Sequence, residues 1–155
     1  MTPELPPVPG FLFFDHVAIA VRPGELEQHV EAYQRMGFTE IHREDVLGTD
    51  QVREVLLRIG EGPNLLQLLE PLSPDSPVAK QIEKNGGRGG FAHIALRVAD
   101  IHAAYAYLKE NGFKLIDAAP RRGSRGTTVF FVHPKTTEQA AFGYLIEVVE
   151  EGAHV

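Results

Sequence analysis

Apolar and polar positions alternate along this chain in an order that is written twice. The runs FDHVAIAV (Phe14 to Val21) and FAHIALRV (Phe91 to Val98) each set one histidine into a period-two, β-branched pattern, which predicts a strand. The period then lengthens. Leu26, Val30 and Tyr33 follow at helical spacing, with Gly37 placed to end the helix. In the second half Asp100 is placed as N-cap. Ile101, Ala104, Tyr105 and Leu108 form the apolar stripe, and Gly112 is the stop. Period two returns over Thr39–Arg43, Val52–Ile59 and Leu65–Leu69, and again over Lys114–Asp117, Thr127–Val132 and Tyr144–Val149. Each half reads β-α-β-β-β.

A repeat of this kind fixes the expected architecture. Neither half has enough strands to bury both of its faces, so the two are expected to share one core. The predicted fold class is α+β, two paired βαβββ modules forming a curved mixed sheet around a metal-containing cleft. The predicted layout is an N-terminal arm over 1–12, a single domain over 13–150 and a tail over 151–155. Its repeats run from about 13–72 and 91–150. The linker, 73–90, carries a short helix capped by Ser76, opened by Pro77 and ended by Gly86, with further glycines as a hinge into the second repeat.

Side-chain alternation separates two faces in each histidine strand. His16, Ala18 and Ala20 share one, as do His93, Ala95 and Arg97, while Val17, Ile19, Val21 and Ile94, Leu96, Val98 lie opposite. The bulky face is expected under the helix. The small face, bearing the histidine, is expected to leave room for a cleft. Two imidazoles at equivalent repeat positions are a natural start for a divalent metal site. The last strand of each half carries one polar residue among apolar neighbours, Gln67 in NLLQLLEPL and Glu147 in YLIEVVE. Gln67 lies 51 positions after His16 and Glu147 lies 54 after His93, so the repeat makes them equivalents. A buried polar side chain is costly unless paired or coordinated. His16, Gln67, His93 and Glu147 together give an N₂O₂ set suited to Co, Mn, Ni, Zn or Fe rather than calcium. Glu54 alternates with Val52 and Leu56, so it shares a face with apolar residues. Burial there would raise its pKa, which suits a general base.

Composition narrows this picture. The chain has 155 residues and no cysteine, which excludes disulfides, thiolate metal sites and a cysteine nucleophile. A net charge of -6 argues against nucleic acid as a partner. No run of about 18 apolar residues predicts a membrane span. The opening MTPELPPVPG has acid and proline where a signal peptide needs a basic region and an apolar run, so a cytoplasmic protein is expected. One segment is locally basic: from Lys114 to Lys135 there are five basic residues against one acid, Asp117, a balance that suits a small anionic ligand.

The stretches DHVAIAV, REVLLRI, LLQLLEPL, DSPVAKQIEKNGGRGGFAHIALRVADI and FVHPKTTEQAAFGYLIEVVE together resemble the vicinal-oxygen-chelate (glyoxalase-fold) superfamily. Within it they are most similar to the methylmalonyl-CoA epimerase family, from about Phe13 to Glu150. The resemblance implies His16, Gln67, His93 and Glu147 as metal ligands, with cobalt favoured over Mn, Ni and Zn. It also implies Glu54 as a catalytic carboxylate opposing Glu147 across the substrate. The implied reaction interconverts the C2 epimers of methylmalonyl-CoA by proton removal from one face and return to the other. Arg121, Arg122, Arg125 and Lys135 could meet the phosphates of the acyl-CoA. A homodimer is implied as well. The family usually reaches its final strand through a short glycine-rich loop. Here Thr137 to Gly143, TEQAAFG, is longer and has one glycine. A glyoxalase I-type isomerase, a non-haem iron dioxygenase using His16, His93 and Glu147, and a metal-free binding protein remain alternatives. Hemithioacetal turnover, oxygen uptake with Fe(II) and metal content would discriminate them.

Overall fold

The computed structural model describes residues 10–151. The chain order is β1 (Phe11–Ala20), α1 (Leu26–Arg35), β2 (Thr39–Val46), β3 (Val52–Arg58), β4 (Leu65–Pro71), α2 (Pro77–Lys84), β5 (Gly90–Val98), α3 (Ile101–Glu110), β6 (Arg121–Arg122), β7 (Thr128–Val132) and β8 (Leu145–Glu150). Two compact units emerge. One is Asp15–Ile94. The other joins Gly10–Phe14 with the described residues from Ala95 to Glu151. Most of the expected arm lies outside the described residues, and its last two positions, Phe11 and Leu12, belong to β1.

In the unit Asp15–Ile94 the strands lie in the order β2-β3-β4-β1, with the first half of β5 next to β1. β1 runs parallel to β4, with Ala18 opposite Gln67, while β2-β3 and β3-β4 are antiparallel. The sheet is therefore mixed, as the repeat required. The bulky face of β1 does pack under α1: Ile19 and Val21 join Leu26, Val30, Val55, Leu57 and Leu68 in one core. The small face departs from expectation. Ala18 and Ala20 are covered by Val78 and Ile82 of α2, together with Val52 and Leu69. Small side chains here make space for a helix. One linker glycine is closely packed against β1. A Cβ on Gly89 would stand 2.3 Å from the Ala20 carbonyl oxygen, so Gly89 marks a close backbone approach.

In the second unit β6, β7 and β8 follow one another as antiparallel neighbours, with β5 next to β8. α3 buries Ile101, Ala104 and Leu108, and Tyr105 meets the buried Phe130 edge-on at 5.0 Å. The strand expected over Lys114–Asp117 is not regular. Leu115 makes a single bridge to Val132, and the strand beside β7 is Arg121–Arg122. Asp117 explains the difference: its side chain takes the Phe131 amide at 2.8 Å, a place a strand backbone would fill.

Each helix start shows how deep the repeat runs. α3 is capped by Asp100, whose Oδ1 accepts from His102 and Ala103. α2 is capped by Ser76 accepting from Val78. α1 has no such cap of its own; Glu70 of β4 accepts from the Gly24 and Leu26 amides instead. In the second unit Glu150 of β8 accepts from the Ile101 amide. Glu70 and Glu150 each stand three residues after Gln67 and Glu147. The fourth strand of each module thus ends on a glutamate serving the N-terminus of that module's helix, which favours negative charge.

Candidate metal centre and active site

β1 and β5 bring His16 and His93 together. The two Nε2 atoms are 3.3 Å apart and the rings meet edge-on at 70°, both buried. Asp15, also buried, lies with Oδ2 2.7 Å from His16 Nδ1. That contact holds the His16 proton on Nδ1 and turns the lone pair of Nε2 toward His93. Two imidazole nitrogens bound at about 2.1 Å to one ion stand roughly 3.0–3.4 Å apart, from octahedral to tetrahedral geometry. The observed spacing falls in that interval.

β4 contributes Gln67, on the same face as Ala18 and buried. Its Nε2 donates to Glu54 Oε1. Its Oε1 is buried and, among the described residues, accepts no hydrogen bond. Buried acceptors are rarely left so. An amide oxygen with its nitrogen already committed is a donor atom suited to a cation, and the site's residues fit a divalent ion on that ground. Glu54, on β3, is 1 % exposed, so the expected burial of this acid is observed. Register places it opposite Leu69 on one side and Glu44 on the other.

The remaining sequence-derived residues belong to the second unit. Glu147 is buried on β8 opposite Phe131 of β7. Arg121 is held by Asp117, Nε to Oδ1 at 2.9 Å, and stacks over Phe131. Arg122 and Lys135 are exposed, and Arg125 sits in a tight turn over Ser124–Gly126 with a φ of 55°. The long loop before β8 is ordered by its own bonds: the Gly143 amide to the Pro134 carbonyl, and the Phe142 amide to Thr136 Oγ1. Sequence reasoning missed Asp15. Its signal was its place beside the histidine, but neighbours on a strand ordinarily face opposite ways.

Among known proteins, the family model of the glyoxalase/bleomycin resistance protein/dioxygenase superfamily matches residues 15–131. An ethylmalonyl-CoA/methylmalonyl-CoA epimerase of Cereibacter sphaeroides is 36% identical over 123 residues, 78% of this chain and 87% of that one. The crystal structure of methylmalonyl-CoA epimerase from Mycobacterium tuberculosis superposes with a TM-score of 0.83 at 31% identity, covering 97% of this chain and 95% of that chain. A methylmalonyl-CoA epimerase in complex with methylmalonyl-CoA and NH4+ matches at a TM-score of 0.80 and 36% identity, covering 92% and 96%. These likenesses extend over both modules, and the fold is the glyoxalase fold of paired βαβββ units.

Proposed function

Because the chain belongs to the glyoxalase/bleomycin resistance protein/dioxygenase superfamily, we propose that it is a methylmalonyl-CoA epimerase, an isomerase acting on C2 of an acyl-CoA. The observation that carries this reading is Gln67, which gives its nitrogen to the buried Glu54 and keeps its oxygen for a cation. A base and a metal ligand are thereby joined by one side chain. The likeness to epimerases over nearly the whole chain points the same way.

His16, Gln67, His93 and Glu147 would hold the divalent ion, with Glu147 entering through its equivalence to Gln67 and the matched caps Glu70 and Glu150. Cobalt is the favoured ion, ahead of Mn, Ni and Zn. A divalent ion there supplies electrophilic stabilisation of charge developing on the thioester oxygen. Glu54 takes the C2 proton from one face. Its burial keeps water away from the carboxylate, and Gln67 fixes which oxygen is turned to the substrate. Glu147 would return a proton to the opposite face, by the oxygen not held by the ion or by loosening from it during the step. Arg122, Arg125 and Lys135 would meet the acyl-CoA phosphates, joined by Arg121 if Asp117 releases it. Exposed Phe11, Leu12 and Phe14 suit a second copy of the chain, and hence a homodimer. We read the site of action as the cytoplasm; among the described residues no helix is long and apolar enough to cross a membrane.

Incubation with methylmalonyl-CoA and Co²⁺ in D₂O should place deuterium at C2 as the epimers interconvert. No exchange with metal supplied would overturn the reading, and hemithioacetal turnover in its place would move the chain to the glyoxalase I class. Glu54→Gln should lower turnover by about 10²–10⁴-fold while metal content is unchanged.

A further inference from the structure

Between β7 and β8 the chain runs through HPKTTEQAAFGY, where it is longer than the glycine-rich turn of the sequences it resembles. The neck of this loop is strained. Thr136 is fully buried and has a φ of 54°, a left-handed backbone that β-branched residues rarely adopt. Hydrogen bonds on every side hold it there. Its amide donates to the His133 carbonyl at 2.8 Å, and its carbonyl accepts from the Lys114 amide at 2.7 Å. Its hydroxyl donates to the Pro134 carbonyl and accepts from the Phe142 amide, both at 3.1 Å. The Lys114 ammonium also reaches Glu138 at 3.1 Å. Strain of this kind persists where the surroundings over-determine it, and it gathers at functional sites.

What the strained neck presents is aromatic. Phe142 is 46 % exposed and Tyr144 38 % exposed, with ring centroids 6.1 Å apart and planes at 31°. Two large rings side by side in water, on a loop fixed by its own bonds, mark a surface meant for a ligand. Lys135 is exposed and adjoins Thr136, whose hydroxyl holds the Phe142 amide, so a cation shares the neck with the rings. Tyr144 stands three residues before Glu147 on the approach to β8. Aromatic faces take a flat heterocycle by stacking, and an ammonium beside them takes a phosphate.

We propose that Phe142 and Tyr144 are the stacking surface for the adenine ring of the acyl-CoA, with Lys135 meeting its ribose phosphate. The pair touches no reacting atom. It sets affinity for the nucleotide end of the substrate, and so separates CoA thioesters from thioesters without a nucleotide. This rests on the epimerase reading above.

The metal-loaded protein and its Phe142→Ala and Tyr144→Ala variants are compared on methylmalonyl-CoA and on methylmalonyl-pantetheine, which lacks the nucleotide. Each variant should raise KM for the CoA ester about tenfold and keep its kcat within about twofold. Both constants for the pantetheine ester should stay at the parent's values. Phe142→Tyr and Tyr144→Phe, which keep a ring, should keep the parental KM. Titration calorimetry with 3′,5′-ADP should show the same tenfold weakening in the alanine variants, and the two positions test the surface independently should one variant not fold. An unchanged KM, or a rise shared equally by both esters, would overturn the assignment while leaving epimerisation intact. So would dissociation of a parental dimer in the variants by sedimentation velocity, which would give the rings to a second copy of the chain. A parent that turns over neither ester would remove the epimerase reading, and the ADP titration would then decide the stacking surface by itself.

Discussion

At the scale of single residues, the site is held together by contacts of very different legibility. His16, His93, Gln67 and Glu147 were visible because period-two alternation and the repeat offset made them stand out from apolar neighbours. Glu54 was visible for the same reason. Asp15 was not: adjacency in a strand argues against contact, yet its carboxylate lies 2.7 Å from His16 Nδ1. On the proposed ligand set it would fix the ring and its tautomer, and such partners are worth about 10–100-fold in metal affinity. Asp15→Asn should therefore weaken Co²⁺ binding by that factor in a chelator competition, with Glu54 and Gln67 untouched. Unchanged affinity would make Asp15 a buried hydrogen-bonding residue and nothing more.

At the scale of elements, strands and helices were legible where one periodicity dominated, and less so where tertiary contacts decided. The second-half strand expected at Lys114–Asp117 gave way because Asp117 bonds the Phe131 amide with its side chain. The caps from Glu70 and Glu150 could not be read at all, since each reaches a helix more than forty residues away in sequence. Gly89 is a case that composition could not resolve: within the glycine cluster, it alone has the backbone of Ala20 in the space a Cβ would need. Gly89→Ala should cost roughly 1–3 kcal/mol in chemical denaturation, the usual range for overpacking. A neutral result would show that the β1–β5 join yields easily. α1 is also tied to β2 by Arg43, which bonds Glu27 and Glu40. The Arg43 hydrogen bond holds the Glu27 carboxyl below its ordinary value near 4.5. A depressed carboxylate contributes stability above its unfolded value and loses it as pH falls through the folded one. Glu27 is mostly exposed, so screening keeps the effect to about 1 kcal/mol or less. Glu27→Gln should lower the melting temperature slightly at pH 7, with the difference closing below about pH 4. A difference that persists in acid would locate the effect in packing against β2.

At the scale of the whole molecule, the proposed ligands are spread through the sequence at His16, Gln67, His93 and Glu147. An ion bound by all four would close loops spanning most of the chain, and whatever binds the folded state alone stabilises it by mass action. The protein's charge of -6 works in the same direction, because a divalent cation reduces the net charge of the compact state. Free Co²⁺ at about a hundred times its dissociation constant should add about 2.7 kcal/mol. For a chain of this size that is a rise of roughly 5–10 °C in melting temperature, reversible with chelator. The same scan tests the repeat argument. His16→Ala and His93→Ala each remove an imidazole of the observed pair, and both should abolish most of the shift. Glu147→Ala should do so too if the equivalence with Gln67 extends to function. A full shift in Glu147→Ala would confine the ion to the ligands of the first repeat and His93, and would leave Glu147 with a proton-transfer role alone.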